Sequence, residues 1–251
     1  MICPICKQNL IEEEKRVYCN NKHSFDKAKS GYINLLLNHL NSGDNLQMIE
    51  ARSRVMNDGY FSKLADELVR FIQKLNLSNI VDVGCGEGYY SDLIGRSINK
   101  KLIGVDISKH ACNKAAKTNK TNTYIVSSIS DLPFSDKSFD GIINIFAPLN
   151  EDEFNRICNG YLIKVIPNLY HLKELKELLY DNVYYKVDYL KLEKFELVEE
   201  HTLTYSTTVT NLLDLFTMTP YFYKTKISNY EIFNQHLNIT MDFKILIFKS
   251  K

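Results

Sequence analysis

The sequence lacks any uncharged apolar run near the ~20 residues that a bilayer-spanning helix requires. It also lacks an excess of either charge: 31 Lys and Arg against 30 Asp and Glu leave a formal net charge of +1. The first absence predicts no membrane partner. The second removes any global sign of a polyanionic partner, so a nucleic acid would have to be held by local patches. The opening Met1-Ile2-Cys3-Pro4 has no basic stretch followed by an apolar one, so no secretory signal is expected. A cytoplasmic location follows as an expectation, and the six cysteines are then expected to bind metal or to be buried rather than to form disulfides. What is present is a composition for folding. Hydrophobic residues make up 45% of 251 and charged residues 24%, enough for one large α/β domain with or without a small appendage.

The chain divides by texture. Residues 1–37 are turn-rich and hold three of the six cysteines, as in a small zinc-binding module. Residues 38–46, with Asn41-Ser42-Gly43-Asp44, read as a linker. Residues 47–251 carry alternating helical and strand patterns. Leu64, Leu68, Phe71, Ile72 and Leu75 recur at three- and four-residue steps, predicting that 47–75 is helical. Strands are expected at 79–83, 101–107, 123–127, 139–146 and 161–166. Helices are expected at 89–97, 108–117 and 169–180, and a late strand pair at 195–205 and 239–248. This alternation predicts a mostly parallel sheet wrapped by helices, with an antiparallel strand added at the end.

Cys3, Cys6, Cys19 and His23 form C-x2-C-x12-C-x3-H. Three thiolates and one imidazole suit a tetrahedral zinc and leave no open coordination position, so one structural zinc is expected. Forty residues bury too little apolar surface to fold alone, and a bound metal offsets that deficit. From Lys15 to Lys29 run five basic residues, Lys15, Arg16, Lys22, Lys27 and Lys29, interleaved with Tyr18 and Phe25 and opposed by Asp26 alone. Such a stretch suits phosphate contact and base stacking, and equally a solvated charged loop.

The strand ending Val81-Asp82-Val83 runs into Gly84-Cys85-Gly86-Glu87-Gly88, and Asp106 ends the next strand. A carboxylate there can accept hydrogen bonds from both hydroxyls of a ribose. The spacing G-x-G-x-G differs from the dinucleotide pattern G-x-G-x-x-G. Flanked by Asp82 and Glu87, it resembles the first motif of the Rossmann-like methyltransferases. Their ligand, S-adenosylmethionine, has no phosphate and carries an ammonium that acidic neighbours suit. Ser128-Ile129 resembles the adenine-side loop of that superfamily, where Ser replaces a common Asp, and Phe139 to Ile143 resembles the strand leading to the methyl-transfer site. Phe146-Ala147-Pro148 ends that strand where a target base would approach.

These stretches together resemble one family over nearly the whole chain: the bacterial 23S ribosomal RNA guanine-N1 methyltransferases. Members modify a hairpin lining the peptide exit tunnel, and relatives in drug-producing bacteria confer macrolide resistance. The resembling residues include the cysteine cluster, Phe25 to Leu36, Ala51-Arg52, Asp58-Gly59-Tyr60-Phe61, Gly84 to Tyr90, His171-Leu172, Glu174-Leu175-Lys176 and Met218-Thr219-Pro220. The resemblance implies a Rossmann-like fold with a seven-stranded sheet, and 23S ribosomal RNA as partner. It implies donor contacts from Phe61, Gly84, Gly86, Glu87, Gly88, Asp106, Ile107, Ser128, Ile129 and His171, and zinc ligation by Cys3, Cys6, Cys19 and His23. It carries an expectation of a homodimer. The chain departs from the family at Asn159-Gly160-Tyr161, at Asn168-Leu169-Tyr170 and at Asn144, which stands where some relatives have a basic residue.

Removing the proton from guanine N1 needs a base or stabilisation of charge at O6. Asp26 and Glu50 are candidates by motif proximity alone, and Phe216, Tyr221, Phe222 and Tyr223 are candidates to line a flipped-base pocket. Two other functions compete. One is methylation of another RNA or a small molecule. The other is RNA binding by a zinc finger whose Rossmann-like domain is inactive, against which the intact glycine loop and Asp106 argue.

Overall fold

The computed structural model describes residues 1–37, 45–186 and 189–251. Of the expected linker at 38–46, residues 38–44 lie outside the described residues. The chain begins with a three-stranded antiparallel sheet of β1 (Ile11–Glu12), β2 (Arg16–Tyr18) and β3 (Ser24–Asp26). β4 (Ile33–Asn34) follows, then helices α1 (Leu46–Asn57) and α2 (Ser62–Lys74). The alternating body runs β5 (Ile80–Val83), α3 (Tyr89–Ile98), β6 (Ile103–Asp106), α4 (Lys109–Thr118), β7 (Thr123–Val126) and β8 (Phe139–Ile145). It continues through α5 (Glu151–Ile157), β9 (Cys158–Pro167), α6 (Lys173–Leu179), β10 (Phe195–Val209), α7 (Leu212–Thr217), α8 (Tyr221–Lys224) and β11 (Leu237–Ser250).

The large sheet is ordered β10-β11-β9-β8-β5-β6-β7-β4. It is parallel from β9 to β4, and β11 inserts antiparallel between β9 and β10. Among the described residues it has eight strands where seven were expected. The eighth is β4, contributed from within the N-terminal 37 residues. Ile33 registers with Ile125, and the Leu35 amide donates to the Val126 carbonyl at 2.9 Å. Burial explains the pairing, since Ile33 and Leu35 are 1% and 2% exposed. Val17 of β2 packs into the same apolar cluster as Ile33, Val81, Val105 and Ile125. On the other face, Leu64, Leu68, Phe71 and Ile72 of α2 pack with Ile143, Ile163, Val165 and Ile245. Among the described residues, no helix is long and apolar enough to cross a membrane.

Two expected helices are cut short. The apolar spacing of 47–75 spans two helices, because the backbone turns at Gly59, where φ is +79° and the amide closes on the Met56 carbonyl at 3.0 Å. The helix expected at 169–180 starts only at Lys173. Ahead of it, Asn168 N–H donates to the Asp242 carbonyl, Tyr170 N–H to the Asp242 carboxylate and Leu172 N–H to the Thr240 carbonyl. Those bonds to β11 hold the backbone out of a helical path. β5 lies between β6 and β8, and the chain leaves β5 toward β6 and returns beside it as β8. The reversal falls between β5 and β8, and the carboxyl ends of strands at such a point are where ligands of open α/β sheets bind.

Candidate active site and metal centre

Cys3, Cys6, Cys19 and His23 come together on two knuckles. Lys7 N–H donates to the Cys3 carbonyl at 2.8 Å, and Lys22 N–H to the Cys19 carbonyl at 2.9 Å. Lys7 and Lys22 each adopt a left-handed conformation, with φ of +59° and +65°. The side chains converge, with Cys3 Sγ 3.5 Å from His23 Nδ1, Cys19 Sγ 3.4 Å from the same atom and Cys6 Sγ 3.6 Å from Cys19 Sγ. All four candidate ligand atoms lie within 4.8 Å of one another. A tetrahedron of zinc–thiolate bonds about 2.3 Å long has edges near 3.8 Å, so the cluster has the size and donor set of a closed zinc site. The Gln8 amide pulls the Cys6 thiol down to about 6, toward the thiolate that binds metal.

The second constellation surrounds the glycine loop after β5. Gly84 and Gly86 have φ of +83° and +55°, a region costly for any residue with a Cβ. Both the Gly84 and Cys85 amides donate to the Val105 carbonyl, at 2.8 and 3.1 Å. The Asp106 carboxylate fixes the loop from below, accepting from Gly86 N–H at 2.9 Å and Ser108 N–H at 2.8 Å. Asp82 beneath the loop is buried and accepts from Ser91 Oγ at 2.6 Å, and burial pushes its carboxyl up to about 7. Glu87 is 9% exposed, and neither carboxylate oxygen has a hydrogen-bond partner among the described residues. Burial raises its pKa, with Arg52 as the chief opposing influence. A buried carboxylate without a donor is costly unless a ligand completes it. The ammonium-bearing end of S-adenosylmethionine has the matching chemistry. Ile107, Ser128 and Ile129 are half-buried beyond β6 and β7, and Ser128 Oγ accepts from Ser130 N–H at 3.2 Å.

Phe61 and His171 lie together, although over a hundred residues separate them. Their rings pack edge-on at 6.5 Å, and Phe243 of β11 contacts both, at 5.9 and 4.7 Å. Phe61 is 1% exposed. His171 is buried too, and burial lowers its pKa to about 3, so the imidazole is neutral. Its Nδ1 accepts from the Asp242 amide at 3.3 Å, which leaves the ring proton on Nε2. Phe146 at the end of β8 stacks on His171 with centroids 6.0 Å apart and planes 17° apart. Phe146 is 39% exposed and holds a left-handed φ of +53°, a strained conformation of the kind found at functional sites.

The strained turn has a support that sequence reasoning missed. Lys164 of β9 is 5% exposed, and its Nζ donates to Asn144 Oδ1 and the Ala147 carbonyl, both at 2.5 Å. Asn144 Nδ2 in turn donates to the carbonyls of Val83 and Pro148, at 2.7 and 3.1 Å. One lysine and one asparagine thus tie the end of β8 to the end of β5. Desolvation lowers the Lys164 pKa to about 8. The available signal was Asn144 inside an otherwise apolar strand pattern.

Other candidates fall elsewhere. Asp26 is exposed on β3, paired in register with Arg16, and Glu50 is exposed on α1. Phe216 is 1% exposed and stacks on Phe233 at 5.0 Å as core, Tyr221 and Phe222 are half-buried, and Tyr223 is exposed. In the basic stretch, Lys27 is held by Glu12 at 2.6 Å and Arg16 by Glu13 at 2.7 Å. Lys15, Lys22 and Lys29 are exposed.

Comparison with known proteins gives matches to both constellations. Residues 1–40 match the zinc-ribbon family described as "RlmA, N-terminal", and residues 80–160 match the family described as "Methyltransferase domain". A Bacillus subtilis protein named "Putative 23S rRNA (guanine-N(1)-)-methyltransferase YxjB" is 34% identical over 71% of this chain and 68% of its own length. The 23S rRNA (guanine(748)-N(1))-methyltransferase of Streptomyces fradiae is 30% identical over 70% of this chain and 66% of its own.

Proposed function

Since this chain belongs to the family of 23S rRNA (guanine-N1-)-methyltransferases, we propose that it methylates N1 of a guanine in a domain II hairpin of 23S ribosomal RNA. S-adenosylmethionine supplies an electrophilic methyl group on a sulfonium, and a structural zinc holds the N-terminal ribbon. The observation that carries the reading is the coexistence of the cysteine–histidine cluster with a donor crevice whose exposed wall is an aromatic ring.

The chain's own residues divide the work. In this reading the Gly84–Gly88 loop approaches the donor by its backbone, and the Asp106 carboxylate, which accepts from the Gly86 and Ser108 amides, binds the ribose. Ile107, Ser128 and Ile129 border the adenine, and Glu87 meets the ammonium. Phe61 and His171 wall the crevice near the sulfonium, and the neutral imidazole adds no repulsion toward a cation. Phe146 offers a flat exposed ring on which a flipped guanine can stack. Cys3, Cys6, Cys19 and His23 ligate the zinc, residues 1–37 form the ribbon, and residues 47–251 form the catalytic domain. A cytoplasmic homodimer completes the proposal.

The test is primer extension on 23S ribosomal RNA from cells with and without the gene. N1 methylation blocks a Watson–Crick edge, so a new arrest at one guanine of the hairpin is expected. Methyl transfer to total RNA without that arrest would redirect the reading to another RNA or another atom. No transfer by protein that binds the donor would end it.

A further inference from the structure

Glu87 poses a problem that the ribose and adenine contacts leave unsolved. Both of its carboxylate oxygens are buried without a hydrogen-bond partner among the described residues, yet a guanidinium stands close by. Arg52 Nη1 is 4.0 Å from Glu87 Oε2, too far for a hydrogen bond. The same Nη1 lies 3.9 Å from the position a Cβ on Gly86 would occupy, and among the described residues, those adjoining Gly86 aside, no other heavy atom lies within 4 Å of it. The guanidinium therefore lies beside the glycine loop, on the side toward which a Gly86 Cβ would project. Arg52 is half-buried, with 22% of its side chain exposed, whereas the Glu87 side chain is 7% exposed.

Helix α1 is held in place independently of this pair. Two residues beyond Arg52, Arg54 makes a bidentate bond to Asp214 of α7, at 2.6 and 2.7 Å. That anchor fixes α1 against α7, and with it the place from which Arg52 reaches the loop. A cation and an anion 4.0 Å apart beside a donor loop complement a ligand end that carries both charges. The α-carbon of an amino acid bears such a pair, an ammonium and a carboxylate on one atom.

We infer that Arg52 binds the α-carboxylate of the donor's methionine end while Glu87 binds its α-ammonium, so that the two side chains clamp the zwitterion. The inference rests on the reading of Gly84–Gly88 and Asp106 as the donor site. It assigns to Arg52 a contact with the donor. A bidentate guanidinium–carboxylate fork accounts for an arginine in this place better than a point-charge lysine. Binding also completes the orphaned oxygens of Glu87, so the clamp discriminates against ligands that lack the amino-acid end.

Calorimetry with three ligands tests this: S-adenosylmethionine, its decarboxylated analogue, which keeps the ammonium, and methylthioadenosine, which has neither charge of the amino acid. Wild-type protein should bind the decarboxylated analogue roughly 10- to 100-fold more weakly than S-adenosylmethionine, the scale of one charge-assisted bond. Arg52→Gln should lose a similar factor toward S-adenosylmethionine and less than about threefold toward the analogue. Arg52→Lys should fall between. Equal losses for both ligands would make Arg52 a structural partner of Glu87 and overturn the proposal. Unchanged donor affinity with weakened RNA binding would assign the guanidinium to a phosphate and overturn it as well. If Arg52→Gln fails to fold, the wild-type ratio of the two ligands still decides, and a ratio near one refutes the clamp. Asp106→Ala separates the underlying reading: unchanged donor affinity in that variant would move the donor elsewhere, whatever Arg52 does.

Discussion

Gly84→Ala should damage stability and catalysis together, because it wedges the glycine loop against the turn that follows β8. A Cβ at Gly84 would sit 2.3 Å from the Ala147 Cβ, and ordinary contact begins at 3.4 Å. The two loops must part by about 1.1 Å, or the backbone of one must rotate. The left-handed φ of +83° adds about 1–2 kcal/mol for an L side chain. Overpacking adds about 1–3 kcal/mol, for a loss of roughly 2–5 kcal/mol. With an m-value near 3 kcal/mol/M, the urea midpoint should drop by roughly 1 M. A displacement of this size between methyl donor and acceptor should also cut kcat on the order of 100-fold. Ala147→Gly removes the opposing methyl. The double variant should recover the overpacking part and most of the rate, while the conformational cost remains. A single variant with wild-type midpoint and kcat would refute the geometry, as would a double variant no better than the single.

Three further outcomes are expected. Cys19→Ala should release zinc, measured by metal analysis, and should lower RNA methylation far more than donor affinity. Asp82→Asn should gain stability relative to wild type as pH rises from about 4 to about 7. The folded carboxyl of Asp82 is raised to about 7, so the stability it contributes at low pH is lost through that window; denaturation midpoints that stay parallel across pH would contradict this. Lys22→Gln with Lys29→Gln should flatten the salt dependence of RNA affinity by about two contacts at roughly 0.7–0.9 each, whereas Lys27→Gln, already paired to Glu12, should flatten it less; equal slopes for wild type and double variant would make these lysines a solvated face.

What the sequence made legible had short-range causes. Val81-Asp82-Val83 followed by spaced glycines names a strand, a left-handed turn and a helix start within a dozen residues. Ser108, a residue type that caps helices, caps α4 by accepting from the Ala111 amide at 3.2 Å. The four candidate zinc ligands, which the fold brings within 4.8 Å of one another, share a local spacing. The parts that stayed hidden depend on distant partners. β4 is two residues long, too short to show a period, and its strand identity comes from β7 ninety residues later. The apolar spacing of 47–75 runs unbroken through Asp58-Gly59, so periodicity alone joined two helices. Lys164 looks like a lone charge in a strand until the fold brings Asn144 and Ala147 to it. His171 reads as a surface residue at a helix start without the family resemblance. Asp242 buries it by drawing the preceding turn onto β11.

The pairing of β4 with β7 also bears on the order in which the protein is built during synthesis. The ribbon leaves the ribosome ahead of the large sheet, and its four candidate metal ligands are complete by His23. The strand that receives Ile33-Asn34 is not finished until Val126. Zinc can therefore stabilise the ribbon by local contacts while its docking edge is still unmade. The last parallel addition at that end of the sheet joins a preformed unit to a newly formed edge. Because the junction is a strand in register, the ribbon is tied to the same sheet whose strand ends carry the glycine loop.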